Sequence, residues 1–209
     1  MAEIYPCFYP TTALFIDDDH HFLNALSMSV ELQSEFLIQC YSNVGKLLED
    51  ISARNKIRSL YRDYLTEPQA AGPKSFDVMG QIHNSHRHDE VSLVVVDYDM
   101  PELDGLSLCT RINDSYVKKV LLTGMFNDKS IVDAFNKGLV DGYIEKGDRN
   151  LVDKLMVFIQ QQQYAYFSEM KREIYASGLS LPPFMNDAVF AQFYLALCER
   201  LNIREYYLT

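Results

Sequence analysis

The chain has 209 residues, of which 48% are hydrophobic and 23% are charged, a balance that argues against wholesale disorder. This length holds one well-cored domain with an appendage, or two small domains. The formal net charge of -10 opposes attraction to nucleic acid, so direct nucleic-acid binding is not expected. The sequence has neither an N-terminal signal peptide nor a run of about 18 apolar residues, so we expect no membrane contact and a cytoplasmic location.

The cysteines point to the same location. Cys7, Cys40, Cys109 and Cys198 lie far apart and form no CxxC pair. Three of them lie inside apolar runs, where a thiol behaves as a small hydrophobic group. We therefore expect a reducing compartment.

Apolar runs alternate with helical patterns along the first 150 residues. Five short apolar runs predict strands, in chain order at 13–16, 36–41, 92–97, 119–122 and 142–145. Apolar residues at helical spacing follow each run. The third run is almost entirely apolar, as expected for a strand buried on both faces of a parallel sheet. This (βα)5 order predicts an α/β fold with a doubly wound, five-stranded parallel sheet.

One segment, from about Arg54 to Glu90, interrupts this alternation. Its first part continues a helical stripe, and a loop punctuated by proline and glycine follows. The stripe consists of Ile57, Leu60, Tyr61, Tyr64 and Leu65. We interpret the segment as an insertion into the fold.

Two stretches contain several histidines. His83, His86 and His88 with Asp89 match no spacing typical of metal ligands, and we interpret them as part of a solvated loop. The tripeptide DHH at 19–21 resembles the signature of a phosphoesterase superfamily, but the other acidic and histidine motifs of that superfamily are missing. Because the tripeptide is present without those motifs, a Mg2+- or Mn2+-dependent phosphohydrolase is kept only as a less favoured alternative.

Polar residues stand at the ends of four of the five predicted strands. Asp17 and Asp18 follow the first strand, and Asp97 ends the third. Thr123 ends the fourth strand and Lys146 follows the fifth. Because ligands of open parallel sheets bind outside the carboxyl ends of the strands, we expect these residues to line one pocket.

The three carboxylates predict a metal site. Carboxylates a few Å apart repel one another by a few kcal/mol at an effective dielectric constant of about 20. A divalent cation removes the conflict, and Mg2+ prefers carboxylate oxygens together with water and phosphate oxygens. We expect Asp18 and Asp97 to bind Mg2+ directly and Asp17 to bind it through water. The backbone carbonyl of Asp99 is a further expected ligand.

The same pocket favours phosphoryl chemistry. One carboxylate oxygen of Asp97 remains able to attack phosphorus, as in enzymes that form an aspartyl phosphate. The ammonium of Lys146 and the hydroxyl of Thr123 would meet the charge on the phosphoryl oxygens. Residues 100–101, Met-Pro, turn the following loop away, and Gly105 is expected to start the next helix without steric demand.

The stretches FIDDD, VVVDYDMPELDGL, LLTG and GYIEKG occur in this order and resemble the receiver domain of two-component response regulators. The resemblance covers roughly residues 12–150 apart from the insertion. It implies a flavodoxin-like fold, Mg2+ dependence, and phosphotransfer to Asp97 from a histidine kinase or a histidine phosphotransfer protein. It also implies that Thr123 and Tyr143 are switch residues, and that the small Gly124 leaves access to the phosphoryl group.

The sequence departs from this family at two places. Gly147 follows Lys146 where the family normally has proline, and we expect Lys146 to function with a remodelled loop. The insertion at 54–90 lengthens the spacing from Asp18 to Asp97 well beyond the usual. A degenerate receiver that binds its partners constitutively is therefore a second alternative.

The last quarter of the chain predicts helices. Apolar residues from 152 to 174 recur three and four apart, which predicts one helix of roughly 24 residues that prolongs the receiver. Its apolar stripe needs a cover, either the insertion or, as we favour, a second subunit in a homodimer. A further helix is predicted over Asp187 to Leu201, and the ending REYYLT is typical of a strand. No helix-turn-helix pattern is visible.

We divide the chain into a receiver domain at 12–150, with the insertion at about 54–90, and a helical extension at 151–209 that begins an output or dimerisation region. The predicted function is that of a phosphoacceptor response regulator in a two-component phosphorelay. Phosphorylation of Asp97 would switch protein–protein contacts. The chain is not expected to be an enzyme beyond its own phosphorylation and dephosphorylation.

Overall fold

The computed structural model describes residues 3–31, 36–54, 78–124, 129–176 and 178–208. Its centre is a five-stranded parallel sheet with the strand order β3-β2-β4-β5-β6. These strands are β2 (Thr12–Ile16), β3 (Leu37–Tyr41), β4 (Val91–Asp97), β5 (Lys118–Thr123) and β6 (Gly142–Glu145). Two short strands, β1 (Cys7–Phe8) and β7 (Tyr206–Tyr207), form a separate antiparallel pair. All five predicted strands are confirmed.

Helices cover both faces of the large sheet. They are α1 (His20–Glu31), α2 (described over 44–54), α3 (Val78–His83), α4 (Gly105–Arg111), α5 (Lys129–Asn136), α6 (Leu151–Ala176) and α7 (Ala188–Leu201). Helices α2, α4 and α5 bury their apolar side chains against one face, and α1 and the first half of α6 against the other. The predicted doubly wound, flavodoxin-like receiver fold with helices at its C-terminal end is therefore confirmed.

The central strand β4 shows why residues 93–96 are consecutively apolar. All seven of its residues are buried. Val94 and Val96 face the core shared with α2, α4 and α5, whereas Leu93 and Val95 face the core shared with α1 and α6. Successive side chains of a strand point to opposite faces, so a strand covered on both sides is apolar at every position. Burial of each such side chain contributes about 1.5–3 kcal/mol.

Part of the proposed insertion lies in the described residues. It forms α3 and a 3-10 turn over Arg87–Asp89 that leads directly into β4. The expected solvation of the histidine stretch holds for His83, His86 and Asp89, which are exposed, whereas His88 is half-buried and its Nδ1 lies 3.0 Å from the carbonyl oxygen of Pro10. The predicted stripe over 57–65 lies outside the described residues.

Helix α6 has 26 residues and confirms the prediction of one long helix. Its first half packs on the sheet, and its second half is covered by the N-terminal segment of the same chain. Tyr166 and Phe167 are fully buried in a cluster with Tyr5, Cys7 and Tyr9. Residues 4–9 thus supply an apolar cover that was not expected, so the stripe by itself does not require a dimer, and the dimer stays a prediction.

Polar groups fasten the N-terminal segment to α6. Gln163 is buried, and its Nε2 donates a hydrogen bond to the backbone oxygen of Tyr9 at 2.7 Å. The ammonium of the buried Lys171 donates to the carbonyl oxygens of Ile4 at 3.0 Å and Met185 at 3.1 Å. These hydrogen bonds satisfy buried carbonyl oxygens that lie outside the β-strands. They therefore hold the N-terminal segment at one position along α6.

The C-terminal end returns to the N-terminal segment. The predicted terminal strand is confirmed as β7, in which Tyr207 is paired with Cys7. The helix predicted over Asp187 to Leu201 is confirmed as α7, and the carboxylate of its cap residue Asp187 accepts hydrogen bonds from the N–H groups of Val189 and Phe190. None of the helices in the described ranges combines the length and apolar character needed to cross a bilayer.

Candidate functional site

The carboxyl ends of β2, β4, β5 and β6 meet at one edge of the sheet. Asp17 directly follows β2, and Asp97 is the last residue of β4. Thr123 ends β5, and Lys146 directly follows β6. The strands are parallel neighbours, so their ends lie side by side and deliver these four side chains to one place.

The three aspartates of the acidic turn after β2 lie in different environments. Asp17 is buried, and its Oδ1 accepts a hydrogen bond from the backbone N–H of Asp19 at 2.9 Å. Asp18 is exposed. Asp19 caps α1, because its Oδ1 accepts from the N–H groups of His21 at 2.9 Å and Phe22 at 3.1 Å. The turn therefore aims Asp17 into the site while Asp19 starts the helix.

Lys146 bridges the two buried carboxylates. Its Nζ lies 2.8 Å from Oδ2 of Asp17 and 2.9 Å from Oδ1 of Asp97. Burial acts to lower the pKa of Lys146, but the two carboxylates outweigh it and raise that pKa above its usual value. Lys146 therefore stays charged at neutral pH and compensates part of the negative charge of the site.

The negative charge of Asp17 is only partly compensated. Burial raises the pKa of its carboxyl above the usual value, although the Lys146 ammonium and the Asp19 N–H act in the opposite direction. Its Oδ2 is buried and accepts from the Lys146 ammonium at 2.8 Å, and the described residues offer it no second donor. This oxygen therefore keeps capacity for a further partner.

The three aspartates fit a divalent cation. Asp17, Asp18 and Asp97 each offer a carboxylate oxygen, and these oxygens lie within 4.8 Å of one another. A set of oxygen ligands that includes a buried, incompletely bonded carboxylate matches the preference of Mg2+. The loop that carries the expected fourth ligand curls back on the site, since the N–H of Asp99 lies 3.4 Å from Oδ1 of Asp97.

The two expected switch residues occupy different environments. Thr123 is buried at the end of β5. Tyr143 lies in the middle of β6, is 36% exposed, and packs edge-on against Phe135 of α5 with ring centroids 6.1 Å apart. The ring of Tyr143 is therefore partly exposed beside α5, whereas the side chain of Thr123 is enclosed.

Gly105 has a structural role that the sequence analysis missed. A Cβ atom at this position would lie 2.4 Å from the backbone oxygen of Asp97 and 2.9 Å from Cα of Tyr98. Helix α4 starts at Gly105 as expected, and a residue without a side chain is required there, because the turn after β4 folds back until the helix start touches the strand end. The N–H of Gly105 also donates to the carbonyl oxygen of Tyr98 at 2.9 Å. Only the Asp-Gly step before a helical pattern hinted at this.

The loop after Lys146 is an ordinary turn. The N–H of Lys146 donates to the carbonyl oxygen of Thr123 at 2.8 Å, and the N–H of Asp148 donates to that of Glu145 at 3.1 Å. The φ angle of Gly147 is not positive, and the nearest atom to a Cβ placed there would be Oε1 of Glu145 at 3.8 Å. The backbone bond to β5 thus carries Lys146 to the carboxylates without proline at position 147.

The sequence model described as "Response regulator receiver domain" matches residues 51–156, just over half of the chain. The chain belongs to the response regulator receiver family. The matched range includes Asp97, Thr123 and Lys146 but begins after Asp17 and Asp18. In the structure these two aspartates lie beside Asp97, so the receiver fold also extends over the N-terminal part of the chain.

Solved structures show the same relationship. The response regulator LqsR of Legionella pneumophila is 30% identical with a TM-score of 0.75, over 99% of this chain and 61% of LqsR. The chain therefore spans 61% of the length of LqsR.

More distant structures share the fold alone. The signal receiver domain of an HD domain-containing protein from Pseudomonas fluorescens Pf-5 is 19% identical with a TM-score of 0.54, over 82% of this chain and 98% of the other. An adenylate cyclase chain from Rhodopirellula baltica is 17% identical with a TM-score of 0.51, over 77% and 95% of the two chains. No curated protein matches the sequence of this receiver.

Proposed function

We propose that this receiver is the phosphoacceptor of a two-component phosphorelay and that Asp97 takes the phosphoryl group from a histidine kinase or a histidine phosphotransfer protein. The observation that supports this proposal is the grouping of Asp17, Asp18 and Asp97 within 4.8 Å, with Lys146 bridging two of them at 2.8 and 2.9 Å. A loop carboxylate with a merely structural role would not require three further charged groups at the ends of neighbouring strands.

The reaction assigns a step to each residue. A carboxylate oxygen of Asp97 forms a bond to phosphorus while the bond between phosphorus and the donor atom breaks, and the donor leaves with that electron pair. Lys146 and the hydroxyl of Thr123 stabilise the charge on the phosphoryl oxygens. Mg2+, which Asp17, Asp18, Asp97 and the backbone carbonyl of Asp99 would hold, supplies further charge neutralisation when it is bound.

The output of the reaction is a change in protein contacts. In this proposal Thr123 closes on the phosphoryl group and the ring of Tyr143 moves inward, which changes the surface formed by α5, β6 and α6. That surface carries exposed apolar groups: Phe135 is 47% exposed and Val157 is 55% exposed. We therefore place the contact between two copies of the chain there, and light scattering with and without beryllofluoride measures whether the mass changes.

The division of the chain follows the contacts. We propose residues 12–150 as the receiver and 151–209 as the extension that transmits its state, and we assign this signalling to the cytoplasm. The first turns of α6 serve both parts, because Leu151, Leu155 and Ile159 complete the core of the sheet. The segment at 4–9 belongs to the extension, since its side chains pack on the second half of α6.

Intact-protein mass spectrometry tests the proposal. After incubation with acetyl phosphate and Mg2+, we expect one phosphoryl adduct on the wild type, none without Mg2+, and none on Asp97→Asn. Asp99→Asn is the matched control, because it changes an exposed side chain and keeps the backbone carbonyl, and its adduct should persist. No adduct on the wild type under any condition would indicate the constitutive receiver. Repeated turnover of phosphoesters would indicate the phosphohydrolase instead.

A further inference from the structure

The ring of Phe22 lies beside the ammonium of Lys146. The distance from Lys146 Nζ to the centroid of the ring is 4.8 Å, within the range of an attractive cation–π contact. Phe22 is half-buried in the first turn of α1, and its ring also packs on the core between the sheet and α1. In the part of the chain that the structure describes, the ammonium contacts this ring as well as the carboxylates of Asp17 and Asp97.

The acidic turn sets the position of Phe22. Asp17 accepts a hydrogen bond from the N–H of Asp19, and Asp19 in turn accepts one from the N–H of Phe22. These two bonds tie the start of α1 to the same aspartate that pairs with Lys146. The relative position of ring, carboxylate and ammonium is thus determined within one short stretch of backbone.

The lysine loop fixes the backbone of Lys146 through its bond to Thr123 but restrains the lysine side chain little. Lysine has a flexible four-carbon stem. At position 147, where proline would stiffen the backbone, this chain has a glycine whose missing side chain leaves open space apart from Oε1 of Glu145 at 3.8 Å. The ionic partners of the ammonium change when Asp97 takes up a phosphoryl group, because the phosphoryl oxygens then attract Lys146 as well. The face of the neutral ring attracts it in either state of Asp97.

We propose that Phe22 is a positioning residue that holds the ammonium of Lys146 over the phosphoacceptor site and replaces the restraint that proline at 147 would give. The inference rests on the proposed function of Asp97 as phosphoacceptor. It assigns to α1 a part in the reaction beyond packing. A purely structural role for Phe22 predicts something different, namely that any apolar side chain of similar size serves equally well.

The rate of phosphoryl incorporation from acetyl phosphate distinguishes these roles. Phe22→Leu keeps an apolar side chain but removes the ring, and we expect the maximal rate to fall about fivefold. Phe22→Tyr keeps the ring and should retain the wild-type rate. The Mg2+ concentration that gives half the maximal rate should not change, because both variants keep all of the proposed metal ligands. Equal maximal rates for the wild type and Phe22→Leu would overturn the proposal and leave the proposed function intact.

A second measurement does not depend on phosphoryl transfer. In the NMR spectrum of the unphosphorylated protein, the ring should shift the Hε protons of Lys146 upfield from those of exposed lysines. Lys146→Met identifies these signals by their loss, and the upfield shift should disappear in Phe22→Leu and persist in Phe22→Tyr. Hε protons of Lys146 at the ordinary position in the wild type would overturn the contact itself. If the wild type accepts no phosphoryl group, the proposed function fails, and this shift still decides whether Phe22 holds Lys146.

Discussion

Replacement of Gly105 by alanine tests the close approach between the start of α4 and the end of β4. A Cβ at this position would meet the backbone oxygen of Asp97 at 2.4 Å, Cα of Tyr98 at 2.9 Å and Cδ2 of Leu121 at 3.0 Å. Contacts between such atoms are favourable near 3.5 Å, so the turn has to open by about 1 Å. Two of the three obstructing atoms belong to the backbone and cannot rotate out of the way.

The expected cost follows from two opposing terms. Overpacking of a well-packed site costs about 1–3 kcal/mol. Alanine regains about 0.5–1 kcal/mol relative to glycine, because it restricts the unfolded chain and favours the helix. We therefore expect Gly105→Ala to lower the free energy of unfolding by about 1–2 kcal/mol, which for a chain of this size lowers the Tm by roughly 2–8 °C.

Gly105→Ala should also disturb the candidate functional site. The obstructing oxygen belongs to Asp97, so opening the turn displaces the proposed phosphoacceptor from Lys146. Urea unfolding and acetyl phosphate labelling of the same preparation measure both effects, and we expect both to be impaired. Gly147→Ala is the matched control, since it has no positive φ and no obstructing atom closer than 3.8 Å, and it should leave both unchanged. The reasoning is refuted if Gly105→Ala equals the wild type in stability and labelling.

Three further predictions concern the rest of the molecule. Gln163→Leu leaves the buried carbonyl of Tyr9 without its donor and should lower the free energy of unfolding in urea by about 1–3 kcal/mol, whereas Gln161→Leu, on the exposed side of α6, should change it little. Although burial of Glu205 opposes it, hydrogen bonds from Tyr207 and Arg87 lower the pKa of Glu205 below its usual 4.5. The stability from this group is therefore present above pH 4.5 and lost as the pH falls through the lowered pKa. The decrease in the free energy of unfolding caused by Glu205→Gln should be full at neutral pH and absent in strong acid. A decrease that does not depend on pH would contradict the role given to the Glu205 carboxylate. Burial raises the pKa of the Cys109 thiol to about 12, so iodoacetamide at pH 8 should alkylate it only after unfolding in urea, as peptide mass mapping will show.

The sequence was sufficient to predict the sheet and the convergence of its functional residues. The run that became β4 is apolar at consecutive positions, a pattern that arises when both faces of a strand are covered. Ligands of such sheets lie beyond the carboxyl ends of the strands, so Asp17, Asp97 and Lys146 could be placed together before any coordinates. These features are encoded locally, by strand length, period and the residue that follows each strand.

The contacts between distant segments were not predictable in this way. The strands β1 and β7 have two residues each and lie at opposite ends of the chain, so neither shows a periodic pattern. The cover of α6 by residues 4–9 was missed for the same reason, and a second subunit was inferred in its place.

The sequence by itself determined the receiver fold, the alternation of its strands and helices, and the carboxylates of the site. The tertiary structure alone decided what covers α6, how close Gly105 comes to Asp97, and that the ring of Phe22 lies over Lys146. The physical reason is that period and composition report whether a residue is buried. Which atoms meet there depends on distances across the packed chain, and in the turn after β4 those leave no room for a single methyl group.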